Sequence, residues 1–297
     1  MKFNSPIQTV VNHSKARRDI RARSNKIPSL PEVVTAVLRL LNDPGTEIQA
    51  FEGVLSKDPA LVAKMLRVVN SPFYGLARPM TSIKEAVMVL GFRSLRSLVL
   101  AASTAGFMEQ DYGCYGHDEK GLWKHALSVA SGARTLAEIL REGPDSREEI
   151  FVAGLLHDIG KMLIAPYLGQ NAPQGCETGI DFVDIESKLL GITHEEAGGL
   201  VCKKWGLTDL IVDVIEGHHG NTQSEAHLRA MTIVRLTDIH AHRLGFGFRD
   251  GFPFQTQDIR KDLEFLGLDE DAYEDAKFEM EEAMSSAIAT LGNLAAC

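Results

Sequence analysis

The dipeptide His157-Asp158 closes the apolar run Phe151–Leu156 and is followed by Ile159-Gly160-Lys161. A carboxylate in an apolar setting must be ion-paired, hydrogen-bonded or metal-bound, because an isolated buried charge is very costly. Imidazole and carboxylate are both metal-ligand types. The fold therefore has to carry partners for this pair from other parts of the chain, and those partners can be sought among the other histidines and acids.

Five further candidates stand out by position. His125 lies inside an apolar helical segment, Leu122–Leu140. His194 opens a helix and is followed by Glu195 and Glu196, acids that suit the positive end of a helix dipole. His218-His219 closes another helix, with Gly220 as a natural C′ residue. Asp238 lies in an apolar helix, flanked by Leu236 and Ile239. A lone helical histidine such as His125 is ordinarily a hydrogen-bonded core or surface residue, and a terminal histidine pair also suits the negative end of a helix. The ordered combination, five histidines and two aspartates on separate helices, is what points to a metal. His13, His117, His227, His240 and His242 are expected at the surface.

Mixed imidazole and carboxylate donors suit Fe or Mn, with Ni or Zn also compatible, over Ca or Mg. Four donors fill most of one site, and six or seven suit two ions sharing Asp158. Two ions about 3.5–4 Å apart form the usual clamp for phosphate-ester hydrolysis. In that setting Asp158 is a catalytic candidate. Lys161, three residues on, is a second one, placed to hold an oxygen of a phosphate-containing ligand.

The surrounding chain reads as helical throughout. Pro31 stands near the start of one helix, whose Val33, Val34, Val37, Leu38, Leu40 and Leu41 recur at helical spacing. Asp58-Pro59 reads as an N-cap followed by proline at the first helical position. Ser82 and Glu85 have the spacing of a capping box. That helix runs to Gly91, and Arg93–Ala102 forms another. Alternating strand patterns are missing. Further helices are expected at about 119–142, 146–167, 181–190, 193–204, 208–219, 225–244 and 269–292. Asp111–Gly116 reads as a linker and Pro166–Gly179 as a loop.

The fold class is thus all-α. A four- or five-helix N-terminal lobe (28–110) packs on a metal-binding helical bundle (117–244). A basic segment (1–27) precedes them, and an acidic C-terminal helical extension (245–297) follows. The last helix carries Met and Ala at core spacing and is expected to pack on the body or on a second subunit.

Hydrophobic residues make up 44% of the 297 and charged residues 24%, as in globular proteins. No apolar stretch approaches the length of a membrane span, and the first 27 residues lack the apolar core of a signal peptide. A cytoplasmic location without membrane attachment is expected. Cys114, Cys176, Cys202 and Cys297 form no CxxC pair, so neither a disulfide framework nor a cysteine zinc site is expected. The net charge of −9 argues against nucleic-acid binding by the whole molecule. The charge is uneven: residues 1–27 carry seven Lys/Arg, and residues 262–282 carry ten acids and one lysine.

The order His125, His157-Asp158, Asp238 resembles the HD-domain superfamily of metal-dependent phosphohydrolases. His157-Asp158-Ile159-Gly160-Lys161 with His194 and His218-His219 is similar to its HD-GYP branch, which binds two or three metals and hydrolyses cyclic di-GMP. The N-terminal strings Ile27-Pro28-Ser29-Leu30-Pro31, Asp58-Pro59-Ala60-Leu61, Asn70-Ser71-Pro72-Phe73-Tyr74-Gly75 and Ala86-Val87-Met88-Val89-Leu90-Gly91 resemble the HDOD (HD-related output domain) family. That resemblance spans about 27–244. It implies a bacterial signalling module, most relatives of which have lost part of the metal motif and have no established catalysis. This chain keeps a nearly complete ligand set. It lacks the Gly-Tyr-Pro sequence, has no Glu after His218-His219, and carries Gly121 where an acid is expected one turn before His125. These departures argue against cyclic di-GMP hydrolysis and against a third metal.

The function expected is a signal-transduction module with an HD-type site for one or two divalent transition metals and without efficient catalysis. The alternative is a phosphohydrolase or phosphodiesterase acting on a nucleotide or cyclic dinucleotide. The expected partner is a separate signalling protein of unknown identity.

Overall fold

Residues 13–24, 30–43, 45–169, 181–220, 225–250 and 257–294 are described by a computed structural model. Among them the architecture is all-α, with one isolated bridge between His117 and Phe248 in place of any strand. The basic helix α1 (His13–Ser24) is followed by α2 (Glu32–Leu41), α3 (Ile48–Leu55), α4 (Pro59–Val69) and α5 (Ile83–Met108). Next come α6 (Gly121–Ile139), α7 (Pro144–Leu156), α8 (Lys161–Leu168), α9 (Phe182–Leu190), α10 (His194–Lys204), α11 (Asp209–Gly217) and α12 (Leu228–Arg243). The C-terminal part holds α13 (Arg260–Leu266) and α14 (Glu270–Leu291).

The N-terminal lobe forms where the periodic residues and caps place it. Val34, Val37 and Leu38 of α2 and Leu61, Met65, Val68 and Val69 of α4 are buried. Asp58 caps α4 by accepting from Leu61 N at 2.9 Å, and a cap of this kind contributes about 1 kcal/mol. At α5 the Ser82 hydroxyl accepts from Glu85 N at 3.1 Å, but the Glu85 carboxylate reaches Thr81 N rather than Ser82 N, so the capping box closes one residue early. The two helices expected either side of Gly91 are one element bent there. Gly91 has φ 81° and ψ 171°, which a residue with a Cβ rarely adopts.

Close backbone approaches position the second lobe. A Cβ on Gly154 would lie 3.0 Å from Ala130 Cα, so the small residues let α7 cross α6 tightly. Gly132 leaves a slot for Met284, since a Cβ there would lie 2.3 Å from Met284 Cε. Through that slot α14 packs along α6, and Trp123 Nε1 donates to Leu291 O at 2.9 Å. The last helix thus packs on the body of its own chain. The lobes meet where Ser97 Oγ of α5 donates to the buried Glu148 of α7 at 2.6 Å.

Four expectations are corrected. The stretch read as one helix over 146–167 is α7 and α8 separated by a turn at 157–160, in which Ile159 N bonds Leu156 O and Lys161 N bonds Asp158 O. The Asp111–Gly116 linker is packed, with Tyr112 and Tyr115 buried and a short 3-10 turn at Gly113–Tyr115. Pro166 stands inside α8, whereas the rest of the expected loop beyond residue 169 lies outside the described residues, as do Cys176, Cys297 and the string 27–29. Helix α1 stands in the basic segment where no helix is expected, and α3 and α13 add helices at positions the periodicity does not mark, within the expected helical lobe and extension. The stretch 144–168 contains a window long and apolar enough to cross a membrane, but it is divided between α7 and α8 and most of that window is buried inside the molecule.

Candidate metal centre

The residues nominated from sequence converge. His125 comes from mid-α6, His157 and Asp158 from the α7–α8 turn, and His194 from the first position of α10. His218 and His219 come from the end of α11, and Asp238 from mid-α12. Asp158 stands at the middle. Its Oδ2 lies 3.3 Å from His157 Nε2 and 3.7 Å from His125 Nε2, and its Oδ1 lies 3.5 Å from His194 Nε2 and 4.0 Å from His218 Nε2. Asp238 Oδ1 lies 2.9 Å from His125 Nε2 and 3.6 Å from His157 Nε2. His219 Nε2 closes the group, 3.0 Å from His194 Nε2. Lys161 Nζ donates to Asp158 Oδ2 at 2.6 Å and lies 5.1 Å from the Tyr115 ring.

Gly160 makes this convergence possible. A Cβ there would lie 1.9 Å from His194 O and 2.6 Å from Gly198 N, both backbone atoms. Only a glycine lets α10 come down on the turn and bring His194 opposite Asp158. Thr193 caps α10 by accepting from Glu196 N at 3.2 Å. This fixes where the helix, and so His194, begins.

The donor orientation fits a metal. His157 Nδ1 donates to Gly154 O at 2.7 Å and His218 Nδ1 donates to Ile215 O at 2.9 Å. A carbonyl only accepts, so both rings carry a proton on Nδ1 and turn Nε2 inward, bare in His218 and freed in His157 when an entering ion displaces its second proton. Those two Nε2 atoms, His125 Nε2 and Asp238 Oδ1 are buried with no hydrogen-bond partner. Unsatisfied buried polar atoms are rare in native folds, and several aimed at one place are the arrangement a cation would satisfy. The potential ligand atoms of His125, His157 and Asp158 lie within 4.8 Å of one another, and so do those of His194, His218 and His219. Asp158 Oδ2 faces His125 and His157 and its Oδ1 faces His194 and His218, as a carboxylate shared by two ions would.

Electrostatics agree. Burial lowers His125 to about 4 and His218 to about 3, so both are neutral donors near pH 7. Burial opposes ionisation of Asp158, but Lys161 and His157 outweigh it and hold the carboxyl well below its usual range. Asp238 is held low in the same way by His242, His125 and His157.

The structure adds residues that the sequence reading passed over. Glu186 of α9 is fully buried and accepts from His194 N at 2.6 Å, from His194 Nδ1 at 2.8 Å and from Tyr115 OH at 2.5 Å. Its carboxylate fixes the orientation of the His194 ring, as a partner of a metal-binding imidazole would. Its spacing of eight residues before His194 was the only available signal. Two of the surface expectations are overturned. His117 and His240 are buried, His117 with Nδ1 on Gly247 O at 3.0 Å and His240 against Glu281 at 3.1 Å. His242 is half-buried, with Nδ1 3.1 Å from Asp238 Oδ1. His227 is half-buried against Asp213, and the His13 side chain lies outside those described. At position 121, where an acid was expected, the space is filled. A Cβ on Gly121 would lie 2.3 Å from Gly247 O.

Comparisons with known proteins show the family and the shared fold. The HDOD domain family matches residues 27–221. The chain is 24% identical over 220 residues to an uncharacterized protein of Treponema pallidum (strain Nichols), covering 73% of this chain and 42% of that one. It is 29% identical over 102 residues to the cyclic-di-AMP phosphodiesterase PgpH of Listeria monocytogenes, covering 34% of this chain and 14% of that one. The chain therefore spans less than half the length of either relative. A crystal structure from Shewanella amazonensis, named as a candidate phosphohydrolase, superposes with TM-score 0.70 at 24% identity, covering 93% of this chain and 97% of that one. At that identity the likeness shows the shared helical fold.

Proposed function

This chain belongs to the HDOD domain family, and from that premise we propose that it is a signal-transduction module whose Asp158-centred cluster holds one or two divalent transition metals without efficient turnover. The observation that carries this is the enclosure of the donor set. His125, His157, Asp158, His194, His218 and Asp238 are buried, and His219 is half-buried. Donors of this kind suit Fe2+ or Mn2+, with Ni2+ or Zn2+ compatible. An ion there would be held by His125, His157, Asp158 and Asp238, and a second by Asp158, His194, His218 and His219.

Enclosure also favours a structural or sensory role over catalysis. Lys161 is spent on Asp158, with its side chain only 7% exposed, so a substrate phosphate would have to displace that ion pair to reach it. The module would then act through a separate signalling protein. The test is to load the purified chain with Mn2+ or Fe2+ and assay it on cyclic di-AMP, cyclic di-GMP and linear dinucleotides. Bound metal without turnover is expected.

The second reading is a metal-dependent phosphodiesterase. It is favoured by Lys161 Nζ beside Asp158 and by the partial likeness to a protein named as a cyclic-di-AMP phosphodiesterase. A bound metal would lower the pKa of a water and neutralise phosphate charge. Turnover abolished by Asp158→Ala would establish this reading in place of the first.

A further inference from the structure

Asp238 Oδ1 faces donors on two sides. Toward the middle of the cluster stands His157 Nε2 at 3.6 Å. On the other side, one helical turn farther along α12, stands His242 Nδ1 at 3.1 Å. His125 Nε2 lies 2.9 Å from the same oxygen, yet neither of those two atoms makes a hydrogen bond. The potential ligand atoms of His125, Asp238 and His242 lie within 4.8 Å of one another, forming a third trio that needs neither His157 nor Asp158.

The surroundings of this trio suit an ion. The Phe248 ring packs against His125 at 5.0 Å and against His242 at 4.7 Å, so apolar surface covers one flank. His242 itself is 25% exposed at its side chain, against 5% for Asp238 and none for His125, so an ion would have a way in along its edge. Two imidazoles and one carboxylate are the donor set of Fe2+, Mn2+ and Co2+ seats rather than of Ca2+ or Mg2+ seats.

We propose that His242 is a metal ligand, and that with His125 and Asp238 it forms a seat for one divalent transition metal at the outer edge of the cluster, taken in place of the inner seat with His157 and Asp158 because the His125 Nε2 lone pair serves one ion at a time. This rests on the reading that the cluster binds metal. The ordinary alternative is that His242 only donates Nδ1–H to Asp238 and steadies that carboxylate.

Co2+ alone serves as the probe, counted by equilibrium dialysis and read by its visible ligand-field bands. The His157→Ala chain, which lacks the inner trio, is expected to keep the outer ion, and adding His242→Ala is expected to remove it. His242→Gln keeps a side-chain donor for Asp238 but is a poor ligand, so it is expected to behave as the alanine does. Should the doubly substituted chain fail to fold, His242→Gln alone is read by cobalt X-ray absorption, where the mean number of bound imidazoles per ion must fall. Unchanged stoichiometry, bands and imidazole count on losing His242, or full binding by His242→Gln, would overturn the assignment while leaving the metal centre intact. A wild-type chain that binds no Co2+ would overturn both.

Discussion

Substituting Gly160 by alanine is the sharpest way to ask whether the centre depends on close backbone approach. The added Cβ would lie 1.9 Å from His194 O, 2.6 Å from Gly198 N and 2.8 Å from His194 C, so no side chain can swing away to accommodate it. Ordinary contact begins at 3.4 Å, so α10 must retreat by about 1.5 Å. Ligand distances in a metal site tolerate about 0.2 Å. Retreat on that scale carries His194 away from Asp158, with which it would share the second ion. Overpacking of this kind costs about 1–3 kcal/mol of stability. Loss of a ligand should weaken that ion's binding by at least about tenfold, or about 1.4 kcal/mol. Urea unfolding and Co2+ titration read the two effects. Gly53→Ala is the control, because its Cβ meets nothing within 4 Å and α3 is already helical there. That control should be neutral or stabilising by up to about 1 kcal/mol. A Gly160→Ala chain with wild-type metal titration and stability within about 0.5 kcal/mol would refute the argument.

Glu186→Gln removes the charge that orients His194 while keeping the shape. Metal affinity on the His194 side should fall by about 10–100-fold in calorimetric titration, and unchanged affinity would show that Glu186 is only a packing group. Metal uptake should release protons. Burial alone lowers His157, but Asp158 and Asp238 outweigh it and raise the group to about 10, so at neutral pH an entering ion displaces its proton. Affinity should therefore rise by about tenfold per pH unit up to that value. Calorimetry in two buffers of different ionisation heat counts the protons, and a count of zero near neutral pH contradicts the assignment. Gly121→Ala should destabilise the chain by about 1–3 kcal/mol, since its Cβ would strike Gly247 O. Unfolding midpoints check this, and a neutral result would mean that the segment around Gly247 is not seated there.

Much of this was legible in the sequence wherever the signal was local. Apolar periodicity and caps at Asp58 and Ser82 marked helices whose positions the structure reproduces. The seven nominated ligands met because each stands on a helix end or an apolar face. What stayed hidden had tertiary causes. The break between α7 and α8 lies inside one apolar run, and the turn is shaped around Gly160, where α10 comes into contact. Helix α1 is strongly polar, with Ala16 and Ile20 the only buried residues among its described side chains, and too little periodicity to be seen. His117 looked like a surface residue because its partners, Gly247 and Phe248, lie far along the chain. His242 did carry a signal, one turn beyond Asp238 on the same helix, but isolated histidine spacing is too common to act on without the fold.

The claim on which the rest depends is that the buried donors around Asp158 hold a metal. It is tested by elemental analysis of the full chain, purified without a polyhistidine tag or chelator. About one to two transition-metal ions per chain, with fewer held by Asp158→Ala, are expected. Less than about a fifth of an ion per chain, before and after incubation with Fe2+ or Mn2+, would contradict the account.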